Sequence, residues 1–537
     1  VGHIEETARR AEEQGEEMSI IDTLQSLLIA FILAFTFRGF VVEAFVIPTG
    51  SMAPTLLGAH AVVRSPETGY VYPIGPSDED SRDRGQAGPV LGGITPYEIT
   101  DPMLMSNRAD EIAISNRRTR MGDRILVLKY LYCFFEPKRF DVVVFKNPRD
   151  PTENYIKRLI GLAGEAIWLA DGDVFARKNG SDSLEGFEIQ RKPEDVQRAV
   201  WQPVYHSEYI PIDPSRIRGG WMPPWNGEGW DVTNRRSYRA DSSNPTALVY
   251  QAPSRAVSDR NAYNESREDE ARKRGSAVYV YDVSDIRLAA AVKPDADGLD
   301  TTIHLECRDH EFEAVLENNT VQLRMRPLGG SQEWTVLDSR SLSQFAPAGE
   351  VTNIEFWHAD QALWLWINGS RVAYGTYDWN PSERLKWATG LSGEDAAKSD
   401  GSNQYVGTAN PPKPLRLEWR FRNCPLTLHR VELDRDLYYR PEQTVDGPAL
   451  ATHPTNLVHL SKDQFFCCGD NSPASLDGRL WGKPQDWIAQ EVDPAPGVVN
   501  RKLLLGKAFF VYFPSPEGLR EGARRFVPNF GSMRFIH

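Results

Sequence analysis

Between Thr23 and Phe37 the chain carries no charged residue. The run is rich in Leu, Ile and Phe, and such a segment needs cover from lipid or protein. It falls short of the roughly 20 residues that a spanning helix requires. Ile20 and Ile21 extend it if Asp22 reaches back to the interface. Three readings compete: a transmembrane helix over 19–38, a buried core helix, and a cleaved leader. A leader calls for a basic flank and a small-residue cleavage site. Here residues 1–17 are rich in Glu, and Phe-rich sequence follows the run. Residues 1–18 read as a solvated tail. Arg9 and Arg10 before the run and Arg38 after it leave orientation weakly specified by charge.

Directly behind the run, Val41, Val42, Phe45, Val46 and Ile47 favour an extended strand. Pro48, Gly50 and Pro54 then break regularity around one hydroxyl, Ser51. Taken alone, a Ser between Gly and Pro is an ordinary turn residue. Two later segments change its context. Tyr155-Ile156-Lys157-Arg158-Leu159-Ile160-Gly161 sets a lysine among apolar neighbours. Gly469-Asp470-Asn471-Ser472-Pro473-Ala474-Ser475-Leu476-Asp477-Gly478-Arg479 is a polar turn after Phe465-Phe466-Cys467-Cys468.

In this order, behind a membrane-type run, these segments resemble the bacterial type I signal peptidases. Gly122–Val127 with Phe140–Phe145, and Leu505–Tyr512, fit the same family. The resemblance implies a membrane-anchored serine endopeptidase with a mainly β catalytic domain. It implies Ser51 as nucleophile and Lys157 as general base. Ser475 would orient the lysine amine, Asp477 and Arg479 would pair to hold their loop, and Thr49 would assist the oxyanion hole. Phe45, Ile47, Met52, Tyr155 and Ile156 would shape shallow pockets for small side chains. The implied partners are signal-peptide-bearing precursors and membrane lipid. The implied location is the cytoplasmic membrane, with the amino terminus inside and the catalytic domain outside.

The residues permit this chemistry. A serine hydroxyl is a poor nucleophile until a base takes its proton. Lys157 can serve only when neutral, and burial among Ile156, Leu159 and Ile160 favours that form. No His lies in a recognisable motif, so a Ser-His-Asp triad is not suggested. No Cys-x-x-Cys pair occurs among five Cys, which argues against a thiolate metal site. No metal or organic cofactor is expected. A net charge of −13 argues against nucleic acid as a partner. A repressor-type Ser–Lys protease would need a DNA-binding segment. A membrane-anchored binding protein would need neither Ser51 nor Lys157.

The catalytic domain is expected over 39–170 and 457–537, with 65–121 as a loop insertion containing a solvated stretch at 77–85. Residues 171–275 read as irregular surface loops, and 441–456 as a return linker. From Ser276 short alternating runs begin, and Asn368-Gly369 between two of them is a hairpin signal. The pattern over 276–440 is similar to concanavalin-like or laminin-G-like sandwiches. It is expected to fold autonomously and to supply no catalytic group. Most of the 14 Trp fall in the insertion and would fill a core or form a sugar platform. Cys307 and Cys424 could pair there. Cys467 and Cys468, adjacent on a strand, should face opposite sides.

Overall fold

The computed structural model describes residues 22–537 except 37–38, 40, 77–100, 105–119, 181–182, 218–220, 235, 252–255, 277, 330–332, 399–411, 445–446, 516, 519–525 and 528. The expected tail over 1–18, both ends of the expected span, and the loop at 77–85 lie outside these residues. A helix covers residues 22–36, exposed along its length. Leu24, Leu28, Leu33 and Phe35 on it are all more than half exposed. Among the described residues no helix is long and apolar enough to cross a membrane.

The chain is mainly β, as expected. Its first large sheet runs Val42–Val46, Arg124–Leu128, Leu504–Phe513, Val142–Asn147, Asp150–Gly161, Gln464–Cys468, Val499–Asn500. Ile47, Met52, Ile125, Val127, Val142, Val144, Ile156, Ala508 and Val511 form one buried cluster. It draws on the second to fifth strands of that order and on Ile47 and Met52 just after the first, whose Phe45 packs against it. Laid flat, the first and fifth strands would stand about 19 Å apart. A shared core therefore means that the sheet coils around it, which brings the Ser51 turn to the Lys157 strand. Cys467 and Cys468 do face opposite sides, each packed in a different cluster.

A smaller sheet, ordered Val458–His459, Glu165–Ala170, Asp173–Lys178, Glu188–Ile189, leads into the insertion. There two antiparallel sheets close on one core. One is ordered Trp230–Asp231, Ser237–Ala240, Leu426–Arg435, Ile286–Pro294, Thr352–Ala359, Ala362–Ile367, Ser370–Thr376, with Gln202–His206 also paired to Leu426–Arg435. The other is ordered Trp225–Asn226, Thr246–Tyr250, Arg416–Arg422, Asp300–Cys307, His310–Glu317, Thr320–Pro327, Thr335–Ser341. Leu288, Phe356 and Leu433 from the first meet Ile303, Phe312 and Trp419 from the second. Asn368 and Gly369 take φ of 49° and 78°, the left-handed pair that a tight hairpin turn requires.

One expectation needs correction, and two open alternatives are decided. Residues 171–275 are not irregular. Gln202–His206, Ser237–Ala240 and Thr246–Tyr250 complete both sheets, so the sandwich is not confined to 276–440. These strands are short and Pro-flanked, and long-range pairing overrides their weak local pattern. All five cysteines are free, so Cys307 and Cys424 do not pair. Trp357, Trp364 and Trp366 pack together as core, 0%, 7% and 4% exposed, rather than as an open platform.

The smaller sheet meets the sandwich through buried charge. Arg384 binds Asp171 at 2.8 Å and Asp173 at 2.7 Å, and Arg308 binds Asp171 at 2.7 Å and Asp285 at 2.6 Å. Lys192 joins Asp360 at 2.5 Å and Asp436 at 2.8 Å. Carboxylate oxygens of Asp173, Asp285, Asp360 and Asp436 lie within 4.8 Å of one another, a spacing that suits a cation. The three basic side chains already supply the countercharge at that point.

Candidate active site

The Ser51 turn is built by its neighbours. Gly50–Met52 form one turn of 3-10 helix, entered from Thr49 in extended conformation. Gly50 must lack a Cβ, because one would meet the Tyr263 ring at 1.9 Å. Ser51 and Lys157 are 8% and 4% exposed. Lys157 Nζ donates to Ser51 Oγ at 2.7 Å and to the Ile156 carbonyl at 3.2 Å. The Tyr155 ring lies 5.2 Å from Nζ. Burial pushes the Lys157 amine down to about 8, against the opposing pull of Asp477.

Asp477 is prevented from claiming that amine. Its carboxylate accepts from Arg479 Nε and Nη2, both at 2.9 Å, and from the Gly469 N–H at 2.9 Å. Burial raises the Asp477 carboxyl, but Arg479 outweighs it and the net shift is downward. Arg479 also donates from Nη1 to Ser472 Oγ at 2.6 Å and from Nη2 to the Ser472 carbonyl at 3.1 Å, which fixes the loop. The Ser475 hydroxyl makes no hydrogen bond to Lys157. It is buried without a partner of proper geometry among the described residues, although as a neighbour it helps to lower the Asp477 carboxyl. A Cβ on Gly469 would sit 2.3 Å from both Ser475 Oγ and the Ser51 carbonyl. The loop and the Ser51 turn therefore touch backbone to backbone.

Other expected residues fall in two groups. Thr49 is exposed and its hydroxyl caps no N–H of the turn. Ile47 and Met52 are 2% and 0% exposed and belong to the core, so in this conformation they offer a ligand no surface. Pairing of Val42–Val46 with Arg124–Leu128 draws the turn inward and buries both. Phe45 and Tyr155 are half-buried, and Ile156 is 9% exposed. Strand alternation sends Ile156 to the Ile47 side and Tyr155 to the Lys157 side.

One feature escaped the sequence reading, and a second, the backbone contacts expected of Asp470 and Asn471 in the polar turn, takes a specific form. Arg158 and Asp470 form a fully buried bidentate pair at 2.8 and 2.7 Å, tying the lysine strand to the polar loop. Asn471 clamps the Ser51 turn. Its N–H donates to the Ser51 carbonyl at 3.0 Å, and its Nδ2 donates to the Gly50 carbonyl at 2.9 Å. A charged residue directly after the lysine was the available signal for the first.

Residues 107–205 match the signal peptidase, peptidase S26 family. The matched stretch holds Lys157 and lies between the Ser51 turn and the 469–479 loop. Signal peptidase I of Pseudomonas fluorescens is 26% identical over 258 residues, covering 45% of this chain and 71% of that protein. Signal peptidase I of Rickettsia massiliae (strain Mtu5) is 28% identical over 150 residues, covering 28% of this chain. The aligned part spans 40% of the Rickettsia protein's length. Among solved structures, carbohydrate binding module CBM66 from Bacillus subtilis aligns at 8% identity over 40% of this chain and 96% of its own, with a TM-score of 0.22. A score that low carries nothing about fold or ligand.

Proposed function

We propose that this chain is a membrane-anchored serine endopeptidase that removes signal peptides from secretory precursors after small residues. The observation that carries the reading is the 2.7 Å contact between Lys157 Nζ and Ser51 Oγ, made by a buried amine lowered to about 8. In its neutral form the amine accepts the Ser51 hydroxyl proton as Oγ attacks the scissile carbonyl. The ammonium so formed then protonates the leaving amine. Water, deprotonated by the same lysine, releases the acyl group from Ser51. Asp477 raises the amine's proton affinity, and Arg479 limits that effect by holding the carboxylate. The Ser51 N–H is the oxyanion donor in this reading. Ser475 orients the lysine only after a small rotation toward it.

The substrate fits as an extended peptide. Val42–Val46 is an edge strand, and on the lysine strand pairing with Gln464–Cys468 begins at Arg158. Residues 154–157 pair only with Val142–Asn147. Main-chain groups at both places are available for an added strand, with Phe45, Tyr155 and Ile156 beside it. The exposed apolar helix over residues 22–36 supports the anchor and contact with lipid. In this reading the catalytic domain lies at the outer face of the cytoplasmic membrane. The test is cleavage of a radiolabelled precursor by the detergent-solubilised full chain. The wild type should release a signal peptide and Ser51→Ala should not. Equal cleavage by Ser51→Ala refutes the reading.

A further inference from the structure

Asn264 lies far from Ser51 in sequence, in the insertion, on a 3-10 turn over Ala262–Asn264. Its side chain is 4% exposed and faces that of Asn471, 1% exposed. The two amides exchange hydrogen bonds, Asn264 Nδ2 to Asn471 Oδ1 and Asn471 Nδ2 to Asn264 Oδ1, both at 2.8 Å. Asn471 Nδ2 spends its second hydrogen on the Gly50 carbonyl. Both partners are thereby satisfied, and the Asn471 amide is locked in one orientation. A flipped amide would set its oxygen against the Gly50 oxygen, a repulsion that nothing nearby offsets.

The peptide between Gly50 and Ser51 is planar, so the direction of the Gly50 carbonyl fixes that of the Ser51 N–H on the opposite side. Neighbours of Asn264 hold the same turn. Asn261 Nδ2 donates to the Ala53 carbonyl at 3.3 Å, and the Tyr263 hydroxyl donates to the Ala59 carbonyl at 2.7 Å. The insertion thus reaches back over the nucleophile turn.

We infer that Asn264 is a positioning residue for the reaction: through Asn471 it aims the Ser51 N–H at the oxyanion. This rests on the proposed peptidase reading. Losing an oxyanion donor costs about 100- to 1000-fold in kcat, and misaiming it costs part of that. Asn264→Ala in the full chain should lower kcat for a precursor by about 10- to 100-fold, with KM within about twofold. Asn264→Ala combined with Asn471→Ala should be no slower than Asn471→Ala alone, because both act on one bond. A kcat within twofold of wild type, a loss carried by KM, or additive losses would overturn the inference. If Asn264→Ala does not fold, Asn264→Ser is read by the same criteria. Ser51→Ala run in parallel separates the two claims. If Ser51→Ala is inert and Asn264→Ala fully active, only Asn264 is misassigned. If Ser51→Ala still cuts, the peptidase reading falls and takes this inference with it.

Discussion

The molecule buries a lysine in each of two regions and treats them oppositely. Lys157, in the coiled sheet, is 4% exposed; Lys192, at the junction with the sandwich, is 8% exposed. Lys192 sits between Asp360 and Asp436, which outweigh its burial and hold its amine well above the ordinary value. Lys157 has a hydroxyl and a carbonyl as hydrogen-bond partners and is pushed down to about 8. Burial is nearly equal, so the carboxylates decide. The carboxylate that could have rescued Lys157 is Asp477, and Arg479 holds it. One region uses buried charge to join two bodies, and the other withholds the countercharge and leaves its amine lowered.

Breaking the dyad should have the largest effect. Ser51→Ala, Lys157→Ala and Lys157→Arg should each lower precursor cleavage by about 1000-fold or more, without additivity between the two sites. Arginine fails because guanidinium stays protonated. Cleavage assays on purified protein decide this.

Releasing Asp477 should come next. Arg479→Met leaves a buried carboxylate near Lys157 and should raise the amine, so cleavage at pH 7 falls and recovers at higher pH. Its thermal stability should fall by about 3–5 kcal/mol, the usual cost of breaking a buried pair from one side. An unchanged pH profile would mean that Arg479 serves the loop alone.

Truncating the two lysines should give opposite signs. Lys192→Met strands two buried aspartates and should destabilise by about 3–5 kcal/mol. Lys157→Met removes a penalty. The unfolded amine takes its proton near 10.5 and the folded one near 8, so below about 8 the folded state bears the full cost of a buried ammonium. Wild-type stability should therefore fall as pH drops from 10.5 to 8 through this group. Lys157→Met should be more stable at pH 7 by at most about 3.5 kcal/mol, at about 1.4 kcal/mol per pH unit. Denaturant melts of both variants check the pair, and equal signs would break the comparison.

Little of this contrast is legible in the sequence. Lys157 stands out through apolar neighbours and spacing to Ser51. Lys192, in Gln190-Arg191-Lys192-Pro193, reads as surface. Its aspartates, Asp360 and Asp436, come from far along the chain, just past the ends of strands that only the tertiary fold brings together. The strands from Ile286 to Arg435 were legible through alternation, whereas those between Gln202 and Tyr250 were too short and Pro-interrupted. The helix Pro381–Thr389 was missed although Asn380 and Glu383 make a capping box, a signal that can be read from sequence. Asn264 gave no signal, since a reciprocal amide pair depends on two turns distant in the chain.

The central claim is that Lys157 works as a buried, neutral base on Ser51. The most direct measurement is kcat/KM for a precursor across pH 6 to 10, on the wild-type chain in detergent, because this ratio reports ionisations of the free enzyme. A single acid limb with its midpoint near 8 is the predicted result. A limb still rising steeply at pH 10, as an amine at the ordinary 10.5 would give, or cleavage independent of pH across the range, would contradict it.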